Sequence, residues 1–255
     1  MLPLFRKIRK KLLRESKFSR YMIYAVGEII LIVIGILIAL GISNWNQNRL
    51  DSQKEQFYLD GLKTEFELSH KKLKTLMEVN RMNYENSKKV AGFINGNHPA
   101  ISERELSEFL YNAFSFEIAY NPNNSILKEL INSGKLENIS STDLRKHLTS
   151  WESFIQSTQN QEKALREQRE RTLDIFRNGN GSIKTILDDA KITEEIGLFQ
   201  NREYQSNLKV IKSLAFENNL LMFILTGMST ETEHYLPLSE EIETILKLIQ
   251  KEQSK

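Results

Sequence analysis

The strongest constraint on this chain is a run of apolar residues near its N-terminus. From Ile29 to Ile42 every residue is aliphatic, glycine or alanine. About 20 apolar residues in a helix cross the ~30 Å hydrocarbon core of a bilayer, and the apolar stretch from Tyr21 to Trp45 reaches that length. Within this stretch Glu28 is the only residue with a charged side chain. We therefore predict one transmembrane helix over residues 21–45.

Basic residues cluster directly before the predicted span. The first 20 residues contain eight basic residues and a single acidic residue. The positive-inside rule then places the N-terminus in the cytoplasm and the C-terminus on the far side. These charges either set the orientation alone or also lie on anionic lipid as a basic amphipathic helix. The residues concerned are Arg6, Lys7, Arg9, Lys10, Lys11 and Arg14.

The charge beyond the span differs from that of the tail. Outside the tail and Glu28 the chain has 27 basic and 31 acidic residues, which gives a net charge of −4. A mildly acidic domain is not expected to bind nucleic acid. The sequence contains no cysteine, so disulfides and thiolate chemistry are excluded. The predicted organisation is a basic cytoplasmic tail at 1–20, the span at 21–45 and a far-side helical domain at 46–255.

Aromatic residues mark both ends of the span. Tyr21 and Tyr24 lie at one end and Trp45 at the other, where amphipathic rings favour the headgroup region. The alternative is a cleaved signal peptide, because Ala39-Leu40-Gly41 is an acceptable cleavage site. The apolar run is longer than the usual core of a signal peptide, so we favour an uncleaved signal anchor.

One face of the span has the features of a helix–helix contact. Glu28, Gly35 and Ala39 share that face, and Gly35 with Ala39 forms a small-xxx-small pair. A carboxyl group in a span is costly and indicates function by default. We expect Glu28 to hydrogen-bond a partner span, either of a second copy or of another membrane protein. The alternative is that Glu28 lies shallow enough to be protonated or to reach the headgroups.

The N-terminal segment resembles a known family. The residues that carry the resemblance are FRKIR from Phe5, YAVGEI from Tyr24, VIGILIAL from Val33 and NWN from Asn44, with a weaker match at LKELINSGKL from Leu127. They are similar to a family of single-pass membrane proteins of unknown function from Bacteroidota-type bacteria. The resemblance implies an inner (cytoplasmic) membrane with residues 46–255 in the periplasm. It implies no activity, ligand or catalytic residue.

The far-side domain has helical periodicity throughout. Leu59, Leu62 and Phe66 keep the three- and four-residue spacing of a long helix that runs toward Phe93. Ser102 precedes a further helix as its N-cap, Ser141 or Thr142 opens the next long helix, and Ser125 is expected to cap a short helix that ends at Gly134. Strand patterns are absent. We predict an all-α chain in which a single N-terminal transmembrane helix is followed by an antiparallel helical bundle.

The last long segment, from about residue 202 to 250, contains two notable features. Pro237 must kink this helix or divide it in two. The apolar run from Leu220 to Leu225 is too short to span a membrane. We expect that run to be the most buried part of the core.

No motif for a specific chemistry is present. Glu67-x-x-His70 and Glu231-x-x-His234 match half of a di-iron site, which also needs an inward glutamate from each of two other helices. Glu152, Glu162 or Glu117 could supply those ligands. Glutamate is abundant here, so we treat the match as coincidence and predict no cofactor, metal or catalytic residue.

These observations favour a non-enzymatic interaction or scaffold protein. Its partners would be the lipid bilayer and either itself or another membrane protein. The first alternative is a small-molecule sensor, which would need a partner for output because only about 20 residues lie in the cytoplasm. The remote alternative is a carboxylate-bridged di-metal enzyme.

Overall fold

The structure is a computed structural model that describes residues 16–94, 101–198 and 205–254. These residues form helices and connecting segments without any β-strand, so the prediction of an all-helical protein is confirmed. The chain divides into two compact units, with the boundary between Gln56 and Phe57. The six basic residues singled out in the tail lie outside the described residues.

The helices are numbered in chain order. They are α1 (Ser16–Ile94), α2 (Glu103–Phe114), α3 (Ser125–Asn132), α4 (Thr142–Ile175), α5 (Ile183–Asp189), α6 (Ile192–Glu195), α7 (Leu214–Ser229) and α8 (Leu236–Gln253). A 3-10 helix covers Lys135–Asn138, and π-helical turns cover Phe176–Asn180 and Thr230–Tyr235. Among the described residues the first unit contains the early part of α1, and residues 57–94 of α1 belong to the second unit.

Contacts within the second unit define an up-and-down bundle. His70 of α1 bonds Ser239, and the later Asn80 bonds Gly227, so this part of α1 runs antiparallel to α7 and α8. His147 of α4 contacts Glu241, and the later Gln161 contacts Thr230, so α4 also runs antiparallel to this last segment. Residues 103–132 connect α1 to α4 and run in the direction opposite to α1. The predicted helical bundle is therefore present in residues 57–254.

The core contains the positions that the periodicity selected. Leu59, Leu62 and Phe66 of α1 are fully or almost fully buried. The ring of Phe66 meets Trp151 of α4 edge to face, with centroids 4.9 Å apart. Gly227 brings α7 close to α1, because an added Cβ would lie 3.2 Å from the Cβ of Tyr84.

The predicted helix starts were correct where the capping side chain lies close in sequence to the amide that it binds. Ser102 forms a capping box with Glu105, and the Ser141 hydroxyl accepts from the Leu144 amide. Gly134 ends the α3 region with a φ of +70°, which glycine adopts without strain. After the Phe176–Asn180 turn, Ser182 caps α5, and its hydroxyl accepts from the Thr185 amide.

The predicted Ser125 cap of α3 was wrong. Asn124 occupies the N-cap position and its side chain makes no capping bond. The carboxylate of Glu65, on α1, accepts instead from the amides of Ile126 at 2.7 Å and Leu127 at 3.3 Å. A side chain distant in sequence therefore supplies the cap of this helix.

The last predicted helix also differs. Residues 205–213 form turns, and the helix begins at Leu214 rather than near 202. Pro237 does not divide the segment: Tyr235 and Leu236 before it keep right-handed helical dihedrals, and the helix passes from α7 through the π-helical turn into α8. Proline has no N–H to donate to the preceding turn, and the π-helical turn lies directly before it, where the hydrogen-bond register of the helix changes.

Residues 115–124, here called the linking segment, are extended rather than helical. Ile118, Tyr120 and Pro122 are buried while the residues between them are exposed, as expected for a two-residue period. Side chains of α1 and α4 bond its backbone. The bonds are Arg169 to the carbonyl of Phe114 just before the segment, Asn83 to that of Phe116, Lys72 to that of Asn121, Ser69 to both backbone groups of Asn123, and Glu162 to the amide of Tyr120.

We expect Glu65→Ala to lower the free energy of unfolding by about 1–2 kcal/mol, because the first amides of α3 lose their cap. Glu67→Ala is the matched control, since Glu67 is exposed on the same helix. Its effect should stay within about 0.5 kcal/mol. Urea unfolding of both variants in detergent, followed by circular dichroism, measures the difference. Equal effects would contradict the capping role.

Candidate functional site

The predicted transmembrane residues lie on an exposed apolar helix. Glu28, Gly35 and Ala39 are all exposed, and an added Cβ on Gly35 would meet no atom within 4 Å. By length and composition, α1 is long and apolar enough to cross a membrane. The contact of these three residues with a partner span stays a prediction, because the structure contains a single chain.

Of the predicted interface aromatics, only the side chain of Trp45 is described. It is 65% exposed, and the guanidinium carbon of Arg49 lies 5.9 Å from its ring centroid. A cation over an indole ring is favourable, and both groups suit a headgroup region. The side chains of Tyr21 and Tyr24 lie outside the described residues.

The two Glu-x-x-His pairs do not form a metal site. His70 bonds the Ser239 hydroxyl at 3.0 Å while Glu67 is exposed. Glu231 is bound by Arg81 and Tyr84. Among the described residues no three His, Asp or Glu side chains are placed to hold a metal ion.

Two further residues of the di-metal hypothesis are engaged elsewhere, and Glu152 is exposed on α4. His234 contacts the Ser157 hydroxyl at 3.4 Å, and Glu117 pairs with Arg166 at 2.6 Å. The side chain of His70 is only 13% exposed. Burial lowers the pKa of this imidazole, and the charge of Lys74 adds to the effect.

A buried carboxyl group lies at the centre of the bundle. Glu162 of α4 is 4% exposed and accepts from the amide of Tyr120 at 2.9 and 3.0 Å. The Tyr235 hydroxyl donates to the same group at 2.6 Å. Burial raises the pKa of the Glu162 carboxyl, although these two donors act to lower it. The group joins α4, the linking segment and the π turn before α8.

A second buried carboxylate joins α1 to the turn after α7. Glu231 is 6% exposed and accepts from the Tyr84 hydroxyl at 2.8 Å and from Arg81. The hydrogen bond to Glu231 raises the pKa of the Arg81 guanidinium, and burial raises that of the Tyr84 hydroxyl. In the sequence Glu231 belonged to a Glu-x-x-His match that we treated as coincidence, and the structure shows it in an ion pair with Arg81.

The spaces between and beside the helices differ in size. The cavity beside Glu162 and Asn83 measures about 10 Å³, which is room for one water molecule. The Asn83 side-chain oxygen is buried there without a hydrogen-bond partner. A groove of about 460 Å³ lined by Leu68, Lys71 and Leu76 is open to solvent. Neither space encloses a small organic ligand.

One face of α7, in the second unit, exposes apolar side chains where polar ones are usual. Leu220, Phe223 and Ile224 are buried, but Leu221, Met222 and Leu225 are 41%, 49% and 59% exposed. The prediction that the whole run from 220 to 225 is buried was therefore wrong, since one side of a helix faces away from the core. Exposed Leu214 and Met228 extend the row. We call Leu214, Leu221, Met222, Leu225 and Met228 the α7 apolar face.

We expect Glu162→Ala to cost about 3 kcal/mol, because the amide of Tyr120 and the hydroxyl of Tyr235 lose their acceptor while buried. Glu162→Gln keeps an acceptor oxygen and cannot ionise. Since the pKa of Glu162 is raised in the folded state, its contribution is full below the unfolded value of about 4.3 and is lost as pH rises through the folded pKa.

The stability of wild type relative to Glu162→Gln should therefore fall as the pH rises above about 4.3. Urea unfolding of both proteins across the pH range, followed by Trp151 fluorescence, measures this difference. A difference that is independent of pH would contradict the raised pKa.

Comparison with known proteins yields a family without an assigned activity. No curated protein matches the chain. No solved structure matches it either. A family model described as a family of unknown function, DUF6090, matches residues 28–165, which include the later part of the apolar stretch, the linking segment and most of α4. With more than half of its length matched, the chain belongs to the DUF6090 family of unknown function.

Proposed function

We propose that this protein is a membrane-anchored, non-enzymatic interaction protein. In this proposal residues 21–45 anchor it in the inner membrane, the tail at 1–20 stays in the cytoplasm, and residues 46–255 bind a partner in the periplasm. The single observation that carries the proposal is the α7 apolar face, which exposes five large apolar side chains in one row along a single helix.

The apolar helix supports the anchoring step. Its side chains from Ile29 to Ile42 are exposed, and an environment of hydrocarbon suits them better than water. The eight basic residues before the stretch support the proposed orientation. Glu28, Gly35 and Ala39 would then contribute a contact between spans in the bilayer.

The two alternatives have weaker support. A sensor needs an enclosed pocket, and the cavity beside Glu162 is the size of one water molecule. A di-metal enzyme needs its ligands together, whereas His70 and Glu231 are held by different partners. An interaction surface requires only exposed complementary area, which α7 supplies.

The orientation is testable because the chain has no native cysteine. In cells with a permeabilised outer membrane, we expect a membrane-impermeant maleimide to label Lys128→Cys but not Lys10→Cys. Both variants should react after lysis. The reverse pattern would contradict the orientation, and loss of residue 10 from the mature protein would show a cleaved signal peptide.

The interaction surface is tested by Leu225→Glu, with Ile131→Glu as the matched control. Both residues are substantially exposed, at 59% and 45%, so neither change should unfold the domain. After amine crosslinking in native membranes, we expect Leu225→Glu to lose most of the crosslinked complex, because a charge would enter an apolar interface. Ile131→Glu should keep it. Equal yields for both variants would rule out the α7 apolar face as the contact.

A further inference from the structure

We propose that the α7 apolar face belongs to a coiled-coil seam that pairs, parallel and in register, with the same seam of a second copy of this chain. This inference rests on the proposed function and names the partner of that surface. The seam is a row of exposed positions with the alternating four- and three-residue spacing of a coiled coil. We call it the α7 seam, and its members are Leu214, Asn218, Leu221, Leu225, Met228, Thr232 and Leu236.

The spacing of the seam continues through the π-helical turn. From Leu214 to Thr232 the intervals between seam residues are 4, 3, 4, 3 and 4 residues. A π-helical turn adds one residue to the register, so the next seam position moves from 235 to 236. Tyr235 is indeed buried, whereas Leu236 is 43% exposed. The row therefore keeps one face over about 33 Å of continuous helix.

The apolar side chains of the seam are ready to enter a partner helix. They are 38% to 70% exposed, while Phe216, Leu220 and Phe223 on the opposite side of α7 pack into the bundle. In a coiled coil each seam side chain fills a hole between four residues of the facing helix. Met222 lies beside the seam at 49% exposure and would be covered as well. Pairing of two seams would therefore remove the whole apolar row from water.

The direction of pairing follows from the shared anchor. α7 runs antiparallel to residues 57–94 of α1. Parallel α7 helices therefore place the Phe57 ends of both copies at the same end of the pair. Both chains can then lead into spans that have one orientation in one membrane, as the proposed function requires. Antiparallel α7 helices would point the two Phe57 ends in opposite directions.

Pairing in register also places like residues opposite each other across the twofold axis. Leucines at 221, 225 and 236 would face leucines, and the two Asn218 amides could hydrogen-bond each other. An asparagine within an apolar seam fixes the register and the number of helices, because other arrangements bury its amide against apolar side chains. An antiparallel pair centred on the row would instead set Leu214 against Thr232 and Met228 against Asn218.

Charged residues lie beside the seam or beyond its end. α7 contains no lysine or arginine, and its one acidic residue, Glu217, is only partly exposed. In a parallel pair Glu217 would lie nearest Met222 of the other copy rather than a second Glu217. The same spacing continues from Leu236 to the exposed Glu240 and Glu243. Identical glutamates repel each other across a twofold axis, so the contact ends at Leu236.

A membrane surface is a poorer occupant of this face. Helices that lie on lipid carry lysine and arginine along their polar side, and α7 carries neither. The Asn218 amide would also enter the apolar layer without a hydrogen-bond partner. A second copy covers the apolar row and provides a partner for the amide.

Single cysteines in the otherwise cysteine-free full-length protein test the arrangement in native membranes. Under mild oxidation we expect Leu214→Cys and Leu221→Cys each to form a disulfide-linked dimer, because each would lie within disulfide distance of its counterpart. Ile131→Cys, exposed on α3, is the matched control and should stay monomeric. Linking at 131 as strong as at 214 and 221 would overturn the pairing. So would a mixed link between Leu214→Cys and Thr232→Cys of differently tagged copies without self-linking of either.

Mass measurement of the solubilised protein gives a second readout. We expect Leu225→Glu to weaken the dimer at least roughly tenfold, because both copies bring a charge to the middle of the seam. Asn218→Leu should tighten association and produce species larger than a dimer, because the paired amides no longer limit the seam to two helices. An Asn218→Leu protein with the same association as wild type would overturn the assignment of the seam.

The outcomes separate this inference from the proposed function. A photo-reactive residue at position 225 that links only to a different polypeptide would overturn self-pairing and leave an interaction protein. The same residue linking only to lipid would overturn both proposals for this face. A protein that stays monomeric and links to nothing would also overturn both.

Discussion

The bundle depends on hydrogen bonds from side chains to an extended segment of buried backbone. A helix satisfies its own amides and carbonyls, but the linking segment at 115–124 has no such partners and still buries Tyr120. Glu162, Ser69 and Asn83 supply those partners from the two long helices beside it. Without these partners the buried amides and carbonyls of the segment would lack hydrogen bonds. The segment could then not stay packed between α1 and α4.

The local features of this fold could be predicted from sequence, whereas the distant ones could not. Ser102 and Ser141 cap helices a few residues away, so the pattern alone locates them. Glu65 caps a helix 61 residues later, and no spacing rule connects it to Ile126. Glu162 looked like one glutamate among many, because the signal of its role is burial, which appears only after folding.

The α7 helix shows the limit of reading hydrophobicity from a run of residues. Six consecutive apolar residues suggest a fully buried segment, yet a period of 3.6 gives one side of the helix to the core. Leu220, Phe223 and Ile224 take that side, while Leu221 and Leu225 face outward. The functional proposal comes from this difference. The composition of the run does not show which of its residues are exposed, whereas the helical period does. The cavity and ion pairs, by contrast, serve the packing of the bundle.

The dependence of the linking segment on Glu162 and Arg169 has a consequence for biosynthesis. The chain is made from its N-terminus, so residues 115–124 emerge before the part of α4 that binds them. The α1 helix can form early from local contacts, but the segment has to wait for some fifty later residues. The amide of Tyr120 therefore stays hydrated until α4 docks, and the binding of this amide by Glu162 marks the closing of the bundle rather than its start.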